Sequence, residues 1–324
     1  MEIRLNQGIH LPDCDLWLDS KRKVPLGIVT HAHSDHAVWH HETIATPETI
    51  ALMRARRKPP AGAIIHELPY WKPFQAPRAT ITLLPAGHIL GSAQVLLESK
   101  AGSLLYTGDF KRRESLTCEQ AVTVNAQTLV MECTFGRSCY AFPPVEQVHR
   151  QIIEFCGRVL ESGQTPVLLA YSLGKSQELM ALLSLVGMSP VVHESIASMS
   201  AIYESVGVNL GSYSAWDGVN HEGNVMILPP SARKRTQDLE RLRTAIVSGW
   251  ALNSSALYRY DCDEAFAWSD HADHGELIEH VEEVGAKRVF TVHGFTEEFA
   301  NDLRYLGIDA LCLGGENQLE LLFK

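Results

Sequence analysis

Residues 30–41 read THAHSDHAVWHH, five histidines and an aspartate within one short stretch. Such a run is either a polar surface loop that happens to be histidine-rich or one half of a metal site completed by distant parts of the chain. The apolar run LGIVT (26–30) before it reads as a strand. In an extended segment residues two apart point the same way, so His31 and His33 can meet one ion. Asp35 and His36 follow, at the predicted start of a helix, and can face a second ion. Neutral imidazole with carboxylate suits zinc, and manganese or iron are also accepted by such ligands. His40 and His41 are read as bystanders.

Each ion needs further ligands, and the chain offers them at the ends of predicted strands. His88 lies in LPAGHILGSAQ, where Gly87 and Gly91 permit a tight loop. Asp109 ends LLYTGDFK and His293 ends VFTVHG, each beside a glycine. Taken singly, these are an ordinary hydrogen-bonded histidine or a turn aspartate. One dense motif followed by strand-end ligands in this order predicts a dinuclear site.

At 324 residues, the chain has room for one large domain or two ordinary ones. A hydrophobic fraction of 45% with 20% charged residues is that of a soluble globular protein. No apolar run is long enough to cross a bilayer, so no membrane partner is expected, and MEIRLNQGIHLPDCDLWLDS lacks the apolar core of a secretory signal. The seven cysteines are scattered without a CxxC pair, which points to reduced thiols and a cytoplasmic setting. A net charge of −10 argues against indiscriminate nucleic-acid binding. Any such binding should follow a narrow local track and weaken as salt rises.

The early chain reads as short strands, among them TITLLP, AQVLLES, SLLYTGD and TLVMEC, with a hairpin turn at ESKAGS. From about residue 143 helices alternate with strands: PPVEQVHRQIIEFCGRVLESG, TPVLLAYS, GKSQELMALLSLVG, PVVHE, IASMSAIYESVG, NVMILPP, then KRTQDLERLRT as a helix and AIVSG as a strand. Such alternation predicts a parallel α/β sheet. A last set follows: EAFAWSD, HGELIEHVEEVG, RVFTVHG and TEEFANDLRYLG. The expected organisation is a β-rich domain over 1–140, an inserted α/β domain over 141–264 and a return segment over 265–324.

The order HxHxDH, a histidine in a glycine-flanked loop, TGD and a late histidine resembles the metallo-β-lactamase fold, an α/β class built as an αββα sandwich. The insertion and its flanking motifs resemble the β-CASP nuclease branch. Motif A is matched by Glu132 in VMECTFG, motif B by His271 in WSDHADH and motif C by His293 in TVHGF. Along nearly the whole chain, VTHAHSDHA, ATPETIALMR, PAGHILGSAQV, GDFKR, TFGRSCYAFPP, AYSLGKSQEL, SGWA, WSDHADHGEL and VHGF resemble the bacterial DNA-ligase-associated exonuclease family.

The resemblance implies a division of labour. His31, His33 and His88 would hold one divalent ion, Zn or Mn; Asp35, His36 and His293 a second; Asp109 would bridge them. Asp19 in LWLDS would support a histidine ligand, with Asp13 and Asp15 as nearby competitors. Two ions about 3.5–4 Å apart can share a hydroxide and offset phosphate charge. His271, uncoordinated, would protonate the leaving oxygen, with Glu132 orienting its imidazole. His274 reads as a surface residue at a helix start. Ser172, Gly174, Lys175 and Ser176 lie between a strand and a helix N-terminus, where an anion is favoured. GxxxxGK[ST] is absent, so ATP is not indicated. Lys111 and Arg112, just after Asp109, are candidate contacts to a phosphate backbone.

The implied activity is a metal-dependent phosphodiesterase, a single-strand DNA exonuclease acting in repair in functional association with a DNA ligase. The alternatives are an RNA-processing nuclease of the same fold, which a histidine at motif C favours, and a small-molecule ester or thioester hydrolase. The insertion and the Glu132/His271 pair argue against the last.

Overall fold

The computed structural model describes residues 1–253 and 255–314. Two compact units divide the chain. The first takes Met1–Glu114, Glu119–Ala141 and the segment from His271; the second takes Ser115–Cys118 and Phe142–Asp270.

Among the described residues the strands form three sheets. β1 (Arg4–Leu5), β2 (Ile9–Leu11), β3 (Leu16–Leu18), β4 (Leu26–Ile28), β5 (Glu42–Ala45) and β6 (Ile64–Glu67) make the first, in that order. β7 (Phe74–Ala76), β8 (Ala79–Pro85), β9 (Ala93–Ser99), β10 (Gly102–Tyr106) and β11 (Thr128–Cys133) belong to the second. In the insertion, β12 (Thr165–Leu169), β13 (Val191–Val192), β14 (Ser214–Ala215), β15 (Met226–Leu228), β16 (Leu242–Val247) and β17 (Glu264–Phe266) make the third. β18 (Arg288–Gly294) and β19 (Ala310–Cys312) then complete the second sheet beside β11.

The sandwich follows from alternation along these strands. In β11, Val130 packs into a core shared with Leu18 and Ile44 of the first sheet and Leu97 of β9. Its neighbours Leu129, Met131 and Cys133 face a second core, filled by two helices. These are α6 (His274–Val284), through Leu277, Val281 and Val284, and α7 (Thr296–Tyr305), through Phe299 and Leu303. Side chains two apart share a strand face, so Glu132 stands at the end of the Val130 row, toward the sheet–sheet layer. The chain has the metallo-β-lactamase αββα sandwich with an inserted β-CASP α/β unit.

In the insertion every strand pair is parallel, as βαβ alternation dictates. Its helices are α2 (Val145–Glu161), α3 (Lys175–Ser184), α4 (Glu194–Ser205) and the short α5 (Ala256–Tyr260); α1 (Pro47–Arg56) lies in the first unit. Two expectations need correction. The helix expected over KRTQDLERLRT is a 3₁₀ turn at Pro230–Thr236, followed by β16 from Leu242. Pairing of β16 along the whole of β12 overrides the helical propensity of that segment. Residues 265–270, expected with the return segment, run with the insertion, because β17 pairs with β16. Among the described residues no helix is long and apolar enough to cross a membrane.

α6 begins at Asp273, whose carboxylate accepts the Glu276 N–H (3.0 Å) while Glu276 accepts the Asp273 N–H (2.9 Å). It ends on Gly285 in the left-handed region. On its buried face the His280 ring lies tilted against Phe110, centroids 4.7 Å apart, and its Nε2 has no hydrogen-bond partner among the described residues. Burial, helped by the nearby Arg112 charge, pulls this imidazole down to about 4. An unfolded chain binds that proton near pH 6.5. Stability from neutral His280 is thus fully present above 6.5 and is lost as pH falls toward 4. Urea unfolding at pH 7 and pH 4.5 tests this: His280→Leu should lose about 2–3 kcal/mol less stability between the two than the parent chain.

Candidate metal centre

The loop after β4 carries the HxHxDH residues, and its anchor is Asp19, one residue past β3. Asp19 adopts φ 47°, which turns its side chain back beneath the loop. Its Oδ1 accepts the Thr30 N–H (2.8 Å), and its Oδ2 accepts the Thr30 hydroxyl (2.7 Å) and the Tyr106 hydroxyl (3.0 Å). His36 Nδ1 lies 3.0 Å from the same Oδ2. Burial opposes ionisation of Asp19, but the His36 charge and the donors from Thr30 outweigh it and hold the carboxyl below its usual range. Asp13 and Asp15 are exposed, so Asp19 alone of the three aspartates is placed under the loop.

Above that anchor, His31, His33, His88 and Asp109 each bring one ligand atom to within 4.8 Å of the others. His88 reaches in from the loop after β8, and its Nε2 lies 3.0 Å from His33 Nδ1. Asp109 follows Gly108, where glycine is needed both for a φ of 54° and because a Cβ would meet Thr30 at 2.8 Å. The Asp109 Oδ2 faces His31 Nε2 at 3.6 Å, His36 Nε2 at 3.7 Å and His88 Nε2 at 3.9 Å. Asp35 Oδ2 lies 3.5 Å from His36 Nε2, and the His293 ring centroid 5.6 Å from that of His36.

His293 arrives by a bulge. Alternation along β18 would turn it away from Val292, which lies in the sheet–sheet core. The register instead runs Glu132 to Val292 and Cys133 to Gly294, leaving His293 unpaired at φ 55°. Gly294 is required opposite, since a Cβ would come within 2.3 Å of the Cys133 carbonyl oxygen.

Burial and the clustered charges move the imidazoles in opposite directions. Burial and the neighbouring imidazoles keep His31 well below its ordinary value, in the neutral ligand form. Burial, with the His36 charge, pulls His293 down to about 4. For His36 burial is overcome by Asp109 and Asp19, which raise it to about 10. Asp109 itself is raised to about 6 by burial, against the pull of His36. Buried His31 Nε2 and Asp109 Oδ1 have no hydrogen-bond partner among the described residues. Orphaned buried polar atoms are costly, and a divalent ion would satisfy both, so the donor set fits the metal that the sequence implies.

Beside this cluster, Glu132 is fully buried and its Oε1 accepts from His271 Nδ1 at 2.7 Å. Backbone N–H groups of Phe110 (3.2 Å to Oε1) and Thr134 (2.8 Å to Oε2) fix the carboxylate. Burial works against its charge, but His271 and Thr134 keep Glu132 ionised below its usual range. Ala272 N–H donates to the Phe110 carbonyl (2.9 Å), and Arg113 binds Asp273 (2.7 Å) and Glu276 (2.8 Å), so the His271 segment is tied to the Asp109 loop. His274 is half-buried and lies 2.9 Å from Asp302, a structural contact at the helix start.

The side chains expected at phosphate have partners within the protein or are buried. Lys175 is buried with its ammonium 2.7 Å from Glu178 and 2.6 Å from Asp270, over the Trp268 ring. Ser176 donates to the Tyr171 carbonyl, and Ser172 pairs with Ser195. Arg112 is held bidentate by Glu283, and Lys111 is buried. Lys175 is thus committed to buried carboxylates, whereas the Arg112–Glu283 pair lies at the surface. Thr30, Tyr106 and Thr134 also support the cluster, without a sequence motif that marks them. Thr30 directly precedes the motif, and Tyr106 stands in LLYTGD, a signal available only once the sheet register is known.

No protein-family model matches the chain. A probable DNA ligase of Opitutus terrae is 43% identical over 324 residues, covering 99% of the chain and 32% of that protein. An RNase J-like protein of Methanocaldococcus jannaschii is 25% identical, covering 57% of the chain and 51% of that protein. The 5′ exonuclease Apollo of Mus musculus is 29% identical, covering 52% and 34% respectively. The chain belongs to the metallo-β-lactamase-fold β-CASP family. As a member of this family it spans about a third to a half of the length of these relatives.

Metal loading can be read directly. Zinc should raise the melting temperature and a chelator reverse it, with about 4 kcal/mol of stabilisation at a free ion concentration about 1,000 times the dissociation constant. Asp19→Asn should weaken ion affinity about 10–100-fold in a metal titration, because it loosens Thr30 and His36 without removing a ligand.

Proposed function

We propose that the chain is a divalent-metal-dependent phosphodiesterase, a single-strand DNA exonuclease working in repair alongside a DNA ligase. The observation that carries this reading is the Glu132–His271 pair standing beside the His/Asp cluster. A site for ester or thioester hydrolysis has no need of a second, oriented proton donor. The full-length likeness to part of a probable DNA ligase supports the repair setting.

In this reading His31, His33 and His88 would hold one ion and Asp35, His36 and His293 the other, with Asp109 available to both. Two such ions, Zn or Mn, when bound supply activation of water and offset of phosphate charge. The chain supplies the rest. Glu132 accepts the Nδ1 proton of His271, which leaves Nε2 as the atom that hands a proton to the leaving oxygen. Thr134 and Phe110 keep the carboxylate from turning away, and the Arg113 clamp fixes the helix that follows the donor. Asp19 and Tyr106 hold the HxHxDH loop in place against the charge it gathers.

An RNA-processing nuclease is the second reading, favoured by the histidine at position 293 and the likeness to an RNase J-like protein. Single-stranded DNA and RNA of matched sequence, labelled at each end and supplied with Mn²⁺ or Zn²⁺, separate the two. Progressive shortening of DNA, lost in His33→Ala, is expected; preferential cutting of RNA would move the protein to the processing branch. No cleavage of either by metal-loaded protein would reject both. His271→Ala should lower kcat about 10²–10⁴-fold while the ions remain bound.

A further inference from the structure

The Asp109 carboxylate has two faces. Oδ2 looks toward His31, His36 and His88, whereas buried Oδ1 has no hydrogen-bond partner among the described residues. A second group with metal-ligand geometry uses the same aspartate: Asp109, Glu132 and His271 each bring one ligand atom within 4.8 Å of the others. Asp109 and Glu132 are buried, but the His271 side chain is 20% exposed, so the group opens to solvent on one side. One imidazole and two carboxylates are a donor set that zinc accepts. Glu132 is already held in place by the Thr134 and Phe110 N–H groups, so little ordering is needed to receive an ion.

We infer that Asp109, Glu132 and His271 form a third, inhibitory divalent-cation site. The inference rests on the dinuclear reading above, since it treats His271 as the proton donor of that centre. Bound at His271 Nδ1, an ion displaces the Glu132 contact that orients the ring. Bound at Nε2, it occupies the atom that would carry the transferable proton. Either way the donor becomes a ligand and turnover stops. This ion binds more weakly than the first two, because it shares Asp109 with them and must open the 2.7 Å His271–Glu132 contact. The enzyme would therefore be active over a window of free metal and silent above it. Zinc would close the window sooner than manganese, since imidazole suits zinc better.

The test is an ion count on the full chain equilibrated against rising free Zn²⁺, with cleavage measured in the same samples. The parent chain should take up two equivalents and then a third, and activity should fall as the third fills. His271→Ala should keep the first two equivalents, which also reports that it is folded, and bind the third at least about tenfold more weakly. His271→Gln, closer in size, should behave likewise. Saturation of the parent chain at two equivalents overturns the inference and leaves the dinuclear reading standing. Saturation at one equivalent, or none, overturns both. A third equivalent that persists at unchanged affinity in both variants, or that fills without loss of activity, also overturns the inference.

Discussion

Imidazole nitrogens of His31, His36 and His88 look at a single carboxylate oxygen, Asp109 Oδ2, from 3.6 to 3.9 Å, and all four side chains are buried. Charge and polarity packed this tightly away from water are unfavourable unless each group has a partner. The arrangement persists because the strands beneath it leave it no choice. β3, β4, β8, β10, β11 and β18 each deliver at least one polar residue at or beyond their ends, β4 the whole HxHxDH set, and the apolar rows behind them set where those ends fall. Thr30, Tyr106 and Asp19 then make a hydrogen-bonded floor below the loop. The core is thus what pays for the polar centre.

The Glu132–His271 pair depends on the same frame. Its carboxylate lies at the end of β11, on the face that Val130 sets, and its histidine precedes α6. The two are 139 positions apart in the chain yet 2.7 Å apart in space. What joins them is the short run of backbone contacts through Phe110 and Ala272, with Arg113 reinforcing it from outside.

Much of this was readable from residues alone. HxHxDH, the glycine-flanked His88, TGD and the late histidine announce a cation site because few other needs gather such side chains at strand ends. The parallel insertion was legible from the alternation of helices and strands, whereas the sandwich was implied by the resemblance of the motif order to the metallo-β-lactamase fold. Other parts were not. Strict alternation says nothing of the bulge that swings His293 around, because the bulge depends on a register with Cys133. Lys175 reads as an anion contact because it stands at a helix N-terminus after a strand, and only the fold brings the remote Asp270 to 2.6 Å from it. The strand from Leu242 read as a helix because its charged, Leu-spaced residues satisfy helical periodicity, and pairing with β12 decided otherwise.

The unit that carries the His/Asp cluster is interrupted by the insertion, and β18, which brings in His293, follows it in the chain. That has a consequence for synthesis. On a ribosome the HxHxDH loop, His88 and Asp109 emerge early, but β11 cannot acquire its neighbour β18 until residues past 294 have left the exit tunnel. Closing so long a loop is slow in its own right. Until then the nascent chain carries the histidine-rich loop without the bulged His293 or the oriented His271. A stalled or truncated product would carry the early histidines and Asp109 without the His271 that Glu132 holds or the strand that positions His293.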